Sequence, residues 1–315
     1  MQKKVNQLKM GTILSYLSIV IQSLCAIIYT PVMLRLLGQN EYGLYQLGSS
    51  AVSYLSLLSF GFNSSYVKFY FEYKVKGEEE EIRRLNSIFL LVFCCLAIVS
   101  CIVGGGMIAS TDLIFNTSLS AADVHQVRIL MFILVLSTAL TFPNIIFDCY
   151  IIAHEKYIFQ RLMLIAVTVL LPILTLPLLY MGYKSTALVA VHLFISVLRT
   201  GINVYYCIVK LGMKFQFHGM QLKVLKNVGS FSIFIFLNEI ATQINWNVDK
   251  VILGAVQGAS VVAIYSVGSQ FNQYFINMST AVSNVFIPRV NKMVAEKQGN
   301  DVLTALFIKI GRVQY

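Results

Sequence analysis

Charge is scarce in this sequence. Only 12% of its 315 residues are Asp, Glu, Lys or Arg, where an ordinary soluble domain carries about 25%. Hydrophobic residues make up 57% and gather into repeated span-length runs, so the chain reads as an all-α, polytopic helical membrane protein. Catalytic signatures are missing too. No GxxxxGK(S/T), HExxH, CxxC or GxSxG segment occurs, which argues against nucleotide hydrolysis, zinc proteolysis, dithiol redox chemistry and serine acyl transfer. The six cysteines (Cys25, Cys94, Cys95, Cys101, Cys149 and Cys207) fall inside apolar runs without metal-ligand spacing. Neither a metal site nor a disulfide framework is implied. The longest connectors, about 17 residues, leave no sizeable soluble loop for a membrane glycosyltransferase. The chain is expected to be no enzyme and to need no cofactor.

The charge that is present is basic and unevenly placed. A crossing needs about 20 mostly apolar residues, and eight candidates follow: Gly11–Leu34, Tyr42 to about Tyr66, Leu85–Ala109, Val127–Ala153, Leu162–Gly182, Thr186–Val209, Val228 to about Asp249, and Ser260–Pro288. Met1–Lys9 is basic, but the run behind it is span-length and has no small-residue cleavage site, so it is read as a span and not a leader. Ser110–Gln126 is expected to be a polar loop, and Pro172 and Pro177 to kink the fifth span. Asp301–Tyr315 reads as an interfacial helix, with Val302, Leu303, Leu306, Phe307 and Ile310 opposite Lys309 and Arg312. If the N-terminus is cytoplasmic, seventeen Lys and Arg residues fall inside and only Arg35, Arg128, Lys184 and Lys250 outside. That is a positive-inside bias. The net charge of +10 is therefore a topology signal with some attraction to anionic membrane lipids. Divided among short connectors, it does not form a nucleic-acid patch.

Four spans carry polar stripes. The first has Ser15, Ser18, Gln22, Cys25 and Tyr29, and the second Ser49, Ser53, Ser56 and Asn63. The seventh has Asn238, Thr242, Asn245 and Asp249, with Glu239 and Gln243 beside them. The eighth is the most regular: Ser266, Gln270, Gln273, Asn277, Thr280 and Asn284. In lipid such faces must meet protein or a wet cavity. Two readings stand: polar glue between helices, or the wall of one central water-accessible cleft, which the eighth span favours. The triplet Gly104–Gly106 sits inside the third span and is expected to let helices pack closely.

Ionisable groups inside spans cost about 2.5–3.5 kcal/mol at the centre and mark functional candidates. Arg199 lies mid-way along the sixth span, Glu239 deep in the seventh, Asp148 near the cytoplasmic end of the fourth, and Lys68 near that of the second. Arg199 and Glu239 could equally form a structural ion pair across the junction of two lobes.

One stretch occurs twice. Gly38, Tyr45 and Gly48 recur as Gly258, Tyr265 and Gly268, 220 residues further on, each set behind an apolar run. Duplication with a shared context suggests a transporter built from two related lobes. The divisions expected are 1–209 for a six-helix first lobe, 210–226 for a basic cytoplasmic connector, and 227–315 for the start of a second lobe.

The segments TPVMLRLLGQNEYGLYQLG (Thr30–Gly48), VDKVILGAVQGASVVAIYSVGSQF (Val248–Phe271) and FIPRVNKMVAEKQGND (Phe286–Asp301) resemble a known group. The chain is similar to bacterial oligosaccharide-lipid flippases of the polysaccharide transporter family, in the superfamily shared with MATE exporters and the lipid II flippase. The resemblance implies two six-helix bundles around a central cavity lined by the first, second, seventh and eighth spans. It implies translocation of an undecaprenyl-diphosphate-linked oligosaccharide across the bacterial cytoplasmic membrane, for O-antigen, capsule or exopolysaccharide assembly, alongside partners such as a polysaccharide polymerase. Relatives have twelve to fourteen spans, so a chain with eight looks truncated. On this reading Arg199 and Lys68 attract phosphate oxygens, and Gln270, Gln273, Asn277 and Asn284 meet sugar hydroxyls. Glu239, Asp148 and Asp249 are the candidates to bind a coupling proton or sodium ion. A MATE-type cation antiporter and a non-transporting membrane protein are the alternatives.

Overall fold

Long apolar runs without strand-like alternation leave helix as the way to satisfy the backbone inside lipid. The computed structural model describes residues 7–59, 62–115, 119–218, 223–273, 275–276 and 300–314, and among them there is no strand. The order is α1 (Gln7–Leu37), α2 (Gln39–Ser53), α3 (Phe62–Lys76), α4 (Glu79–Ala109), α5 (Thr111–Phe115), α6 (Ala121–Ala153), α7 (Tyr157–Tyr180), α8 (Ser185–Tyr205), α9 (Lys223–Gln257), α10 (residues 259–273) and α11 (Asn300–Gln314). Among the described residues five helices are long and apolar enough to cross a membrane: Ile13–Leu37, Glu79–Ala109, Ala121–Ala153, Tyr157–Tyr180 and Ser185–Lys210. The chain forms two compact units, Met1–Ile264 and Tyr265–Tyr315.

Within the first unit α6 is central, packed on α2, α3, α4 and α8. Lipid tails are as apolar as the helix faces, so close packing and interhelical hydrogen bonds hold such helices together. One cluster joins α3, α4 and α6 through Tyr66, Phe89, Phe93, Phe142 and Ile146. A second joins α2, α6 and the start of α10 through Leu44, Leu47, Leu130, Met131, Ala259 and Val262. Glycine permits two of these approaches. A Cβ on Gly43 would lie 1.9 Å from the carbonyl oxygen of Ala259, and one on Gly104 would lie 2.5 Å from Val135. Gly105 and Gly106 face open space, so only the first glycine of the triplet serves packing.

The second span is not one helix from Tyr42 to Tyr66. It breaks into α2, a tight 3-10 segment at Tyr54–Ser59, and α3, which runs ten residues past Tyr66. At the break Ser53 Oγ donates to the Ser50 carbonyl at 2.6 Å, a local side-chain-to-backbone bond of the kind that accompanies helix bending. Much of the charged Lys74–Arg84 stretch is likewise helical. Gly77, at φ 75°, closes α3 with bonds from its own N–H to Lys74 O and from Glu78 N–H to Tyr73 O, a Schellman end. The glutamates Glu79, Glu80 and Glu81 then occupy the first turn of α4, where negative charge suits the helix dipole. The expected loop Ser110–Gln126 contains α5 and the first turns of α6. The start of α6 is set by Ser120, whose Oγ accepts from Asp123 N–H at 3.2 Å. α7 continues as one helix through Pro172 and Pro177.

In the second unit α11 forms over the expected amphipathic tail. Leu306 is buried, while Val302 and Phe307 on the same apolar face are exposed.

Candidate functional site

Helical spacing assembles the site. Asn144 and Asp148 stand four residues apart on α6, as do Arg199 and Asn203 on α8, so each pair shares a face. The two helices pack together and bring these four side chains into one network. Arg199 Nη2 donates to Asp148 Oδ2 at 2.8 Å. Asn144 Nδ2 donates to the same oxygen at 2.9 Å, and Asn203 Nδ2 to Asp148 Oδ1 at 2.8 Å. Asn203 Nδ2 also lies 3.0 Å from Asn144 Oδ1. Asn144 and Asn203 are buried, whereas the Arg199 side chain is 41% exposed and that of Asp148 25%.

Three N–H groups and one full positive charge thus converge on a single carboxylate. Arg199 keeps capacity: its Nε is buried and has no hydrogen-bond partner among the described residues. Beside the pair lies a cavity of about 100 Å3, lined by Asp148, Arg199 and Asn203 with Gln160, Arg161 and Leu164 of α7. A carboxylate that can take a proton, a guanidinium that it restrains and an adjoining cavity allow a charge switch. Protonating Asp148 removes the ion pair and leaves a planar cationic donor available to an anion. Among the described residues no group of three His, Cys, Asp or Glu could hold a metal ion.

The ion pair weighed between Arg199 and Glu239 is not formed. Asp148 takes that place, because α6 and α8 are neighbours within the first unit. Glu239 is half-buried on α9 with no ion pair among the described residues. Asp249 is exposed on the same helix. Lys68 is exposed on α3, 5.8 Å over the Phe69 ring, and does not line the Arg199 cavity. In the second unit Gln270 and Gln273 are half-buried. Asn277 and Asn284 lie outside the described residues. Asn144 and Asn203 carry no signal in the sequence beyond their four-residue spacing to Asp148 and Arg199.

The repeated stretch also earns its prominence. Gly38 joins α1 to α2 at φ 77°, and Gly258 joins α9 to α10 at φ 84°, the same left-handed turn at equivalent positions. Around the first copy, Gln39 Nε2 donates to Ser260 O at 3.0 Å and Asn40 Nδ2 to Asp123 Oδ1 at 3.0 Å. Glu41 accepts from Ser185 Oγ at 2.6 Å and pairs with Lys184 at 3.1 Å. The polar stripes of the second and seventh spans meet where Gln243 Nε2 donates to Ser56 Oγ at 2.8 Å.

A family model described as Polysaccharide biosynthesis protein matches residues 8–294. No curated protein matches the chain. Among solved structures the chain is similar to a MATE protein crystallised in complex with MaD3S, at 14% identity and a TM-score of 0.59, over 87% of this chain and 64% of that one. It is similar to an inward-facing multidrug resistance MATE family transporter of the MOP superfamily, at 14% identity and a TM-score of 0.59, over 94% and 67%. It is also similar to a MOP superfamily transporter from Pyrococcus furiosus Vc1, described as having a binding pocket of reverse polarity, at 14% identity and a TM-score of 0.54, over 89% and 62%. These likenesses establish the MATE-like fold, and the chain spans 64% of the first structure's length.

Proposed function

Because the chain belongs to the Polysaccharide biosynthesis protein family and has the fold of MATE and MOP-superfamily membrane transporters, we propose that it flips an undecaprenyl-diphosphate-linked oligosaccharide across the bacterial cytoplasmic membrane by alternating access. The observation that carries the reading is the restrained guanidinium of Arg199. A diphosphate is too polar to cross hydrocarbon unaided, and an intramembrane arginine offers it a planar, permanently charged partner.

Asp148 supplies the control. While ionised it holds Arg199 through the 2.8 Å contact. Once protonated it loses the charge that competes with phosphate, and Arg199 turns to the head group. Release of that proton on the other side of the cycle restores the pair and expels the anion. Glu239 and Asp249 are further sites for a coupling ion. Lys68 adds positive charge, and Gln270, Gln273, Asn277 and Asn284 offer donors and acceptors to sugar hydroxyls. In this reading residues 1–209 are the first lobe, 210–226 the connector and 227–315 the start of the second. The N-terminus faces the cytoplasm, and a polysaccharide polymerase receives the product.

The test is surface-glycan assembly in cells, normalised to the amount of protein in the membrane. Asp148→Asn keeps the side chain's shape but cannot cycle a proton and turns one of the two accepting oxygens into a donor, and it is expected to support little assembly per unit of protein in the membrane. Full assembly by Asp148→Asn would remove the proton switch. Stimulated efflux of an organic cation by the same cells would favour the antiporter reading instead.

A further inference from the structure

A second cavity lies at the Gly77 end of the first unit, where the last turn of α3, the first turns of α4, the end of α6 and the connector after α8 converge. Its volume is about 380 Å3, within the roughly 300–1,000 Å3 range of small-molecule sites. It shares no lining residue with the Asp148–Arg199 cavity. Lys74, Arg83 and Lys214 line it, against the one carboxylate of Glu79. That carboxylate is 83% exposed and stands 3.6 Å from Arg83. Lys74 and Lys214 have no carboxylate partner among the described residues. The cavity therefore carries surplus positive charge.

The surplus is held in place. Tyr66 Oη donates to Asn86 Oδ1 at 2.6 Å, which turns the Asn86 amide so that Nδ2 donates to the Lys214 carbonyl at 3.0 Å. Two residues on, Gln216 N–H donates to Ser87 Oγ at 2.7 Å. The connector is thereby pinned along α4, and Lys214 with it. Lys74 lies over the Tyr70 ring at 5.6 Å, a weak cation–π restraint on its ammonium. Below them His154 Nδ1–H donates to the Tyr150 carbonyl at 2.9 Å. This leaves Nε2 as the acceptor for Tyr70 Oη at 3.2 Å.

We propose that this cavity binds a phosphoryl group carried by a lipid of the adjoining leaflet. Two lysines and an arginine with spare donors suit phosphate oxygens, and basic pockets between transmembrane helices at this depth recognise lipid head groups. A soluble phosphate ester shares that chemistry. The position at the helix ends, where head groups lie, selects the lipid. The site does not depend on which molecule crosses the membrane, so it stands apart from the transport reading.

The experiment uses the full chain purified in a neutral detergent and titrated, by native mass spectrometry, with phosphatidylglycerol, phosphatidylcholine and inorganic diphosphate. Phosphatidylglycerol is expected to bind well above phosphatidylcholine. Lys74→Gln combined with Lys214→Gln should weaken it about tenfold, as losing charge-assisted contacts would. Lys184→Gln, at the opposite end, should leave it unchanged, and Lys74→Arg with Lys214→Arg should retain it. Lys74→Gln alone, an exposed position, keeps the test available if the double variant is unstable. Loss of diphosphate binding without loss of phosphatidylglycerol would overturn the lipid assignment in favour of a soluble anion. Unchanged binding of both probes by a variant with the wild-type melting temperature would overturn the site.

Discussion

At the Gly38 end of the first unit nearly every polar group of the Gln39–Gly43 stretch has a partner. Asn40 meets Asp123, Glu41 meets Lys184 and Ser185, and Gln39 reaches the backbone of α10. At the Gly77 end Lys74 and Lys214 line a cavity and have no carboxylate partner among the described residues. Paired charge fixes helices to one another. Surplus charge attracts a ligand and is tolerated where head groups and water screen it. Arg199 lies between these cases, paired but partly exposed and with one donor unused. Restraint by a partner that can itself be neutralised is what a switch requires.

The contrast can be broken most severely at Gly43. Gly43→Ala drives a methyl into the Ala259 carbonyl at 1.9 Å, and backbone cannot step aside as a side chain can. A loss of about 1–3 kcal/mol or more is expected, measured as a lower melting temperature in detergent. Gly105→Ala, facing open space, is the control and should cost nothing. Next comes Asp148→Leu, which leaves Arg199 without its counter-charge. Breaking a fully buried pair costs roughly 3–5 kcal/mol. With Arg199 41% exposed, about 1–3 kcal/mol is expected here, and the double replacement Asp148→Leu with Arg199→Met should recover most of it. A recovery of nothing would mean that the two residues do not act as a pair.

Glu41→Gln sharpens the comparison by removing charge from the well-paired end. It loses the Lys184 contact and weakens the bond from Ser185, for about 1 kcal/mol. At the other end His154 provides a pH handle. Burial pushes its imidazole below the usual range, and Lys74 and Lys156 push it the same way against the Tyr150 carbonyl. The folded state therefore binds fewer protons than the unfolded chain. The stability this contributes is complete above the ordinary histidine value of about 6.5 and is lost as pH falls below it. The melting temperature should drop by a few degrees between neutral and mildly acidic buffer, and His154→Gln should flatten that slope. The smallest effect belongs to Glu155, which ends α6 at φ 55° without being glycine. Glu155→Gly should raise stability by up to about 1 kcal/mol, since glycine adopts that conformation freely.

Much of the architecture was legible because lipid permits few alternatives. Apolar runs located the long helices, and the repeat that relates Gly38 to Gly258 falls on two glycines of positive φ, a conformation that the spacing alone does not show. The break at Tyr54–Ser59 is hidden in the sequence, because Leu55, Leu57 and Leu58 keep the run apolar and no glycine or proline marks it. For the site, depth along each span singled out Arg199 and Asp148 separately. Their pairing depends on α6 lying against α8, which no periodicity encodes, and the choice of Glu239 as partner followed from depth alone. Asn144 and Asn203 were overlooked because asparagine in a span reads as packing glue until a charge is found beside it. The stripe of the eighth span is described only as far as Gln273, half-buried like Gln270.

Arg199 is proposed to serve the lipid diphosphate and not merely the packing of α6 on α8. The most direct measurement is surface-glycan assembly by Arg199→Lys, normalised to membrane abundance, beside Arg199→Ala. Lysine keeps the charge that offsets Asp148 but loses the planar fork. Arg199→Lys is therefore expected to reach near-normal abundance with assembly largely lost, if the guanidinium holds the diphosphate. Normal assembly by Arg199→Ala at normal abundance would contradict that role.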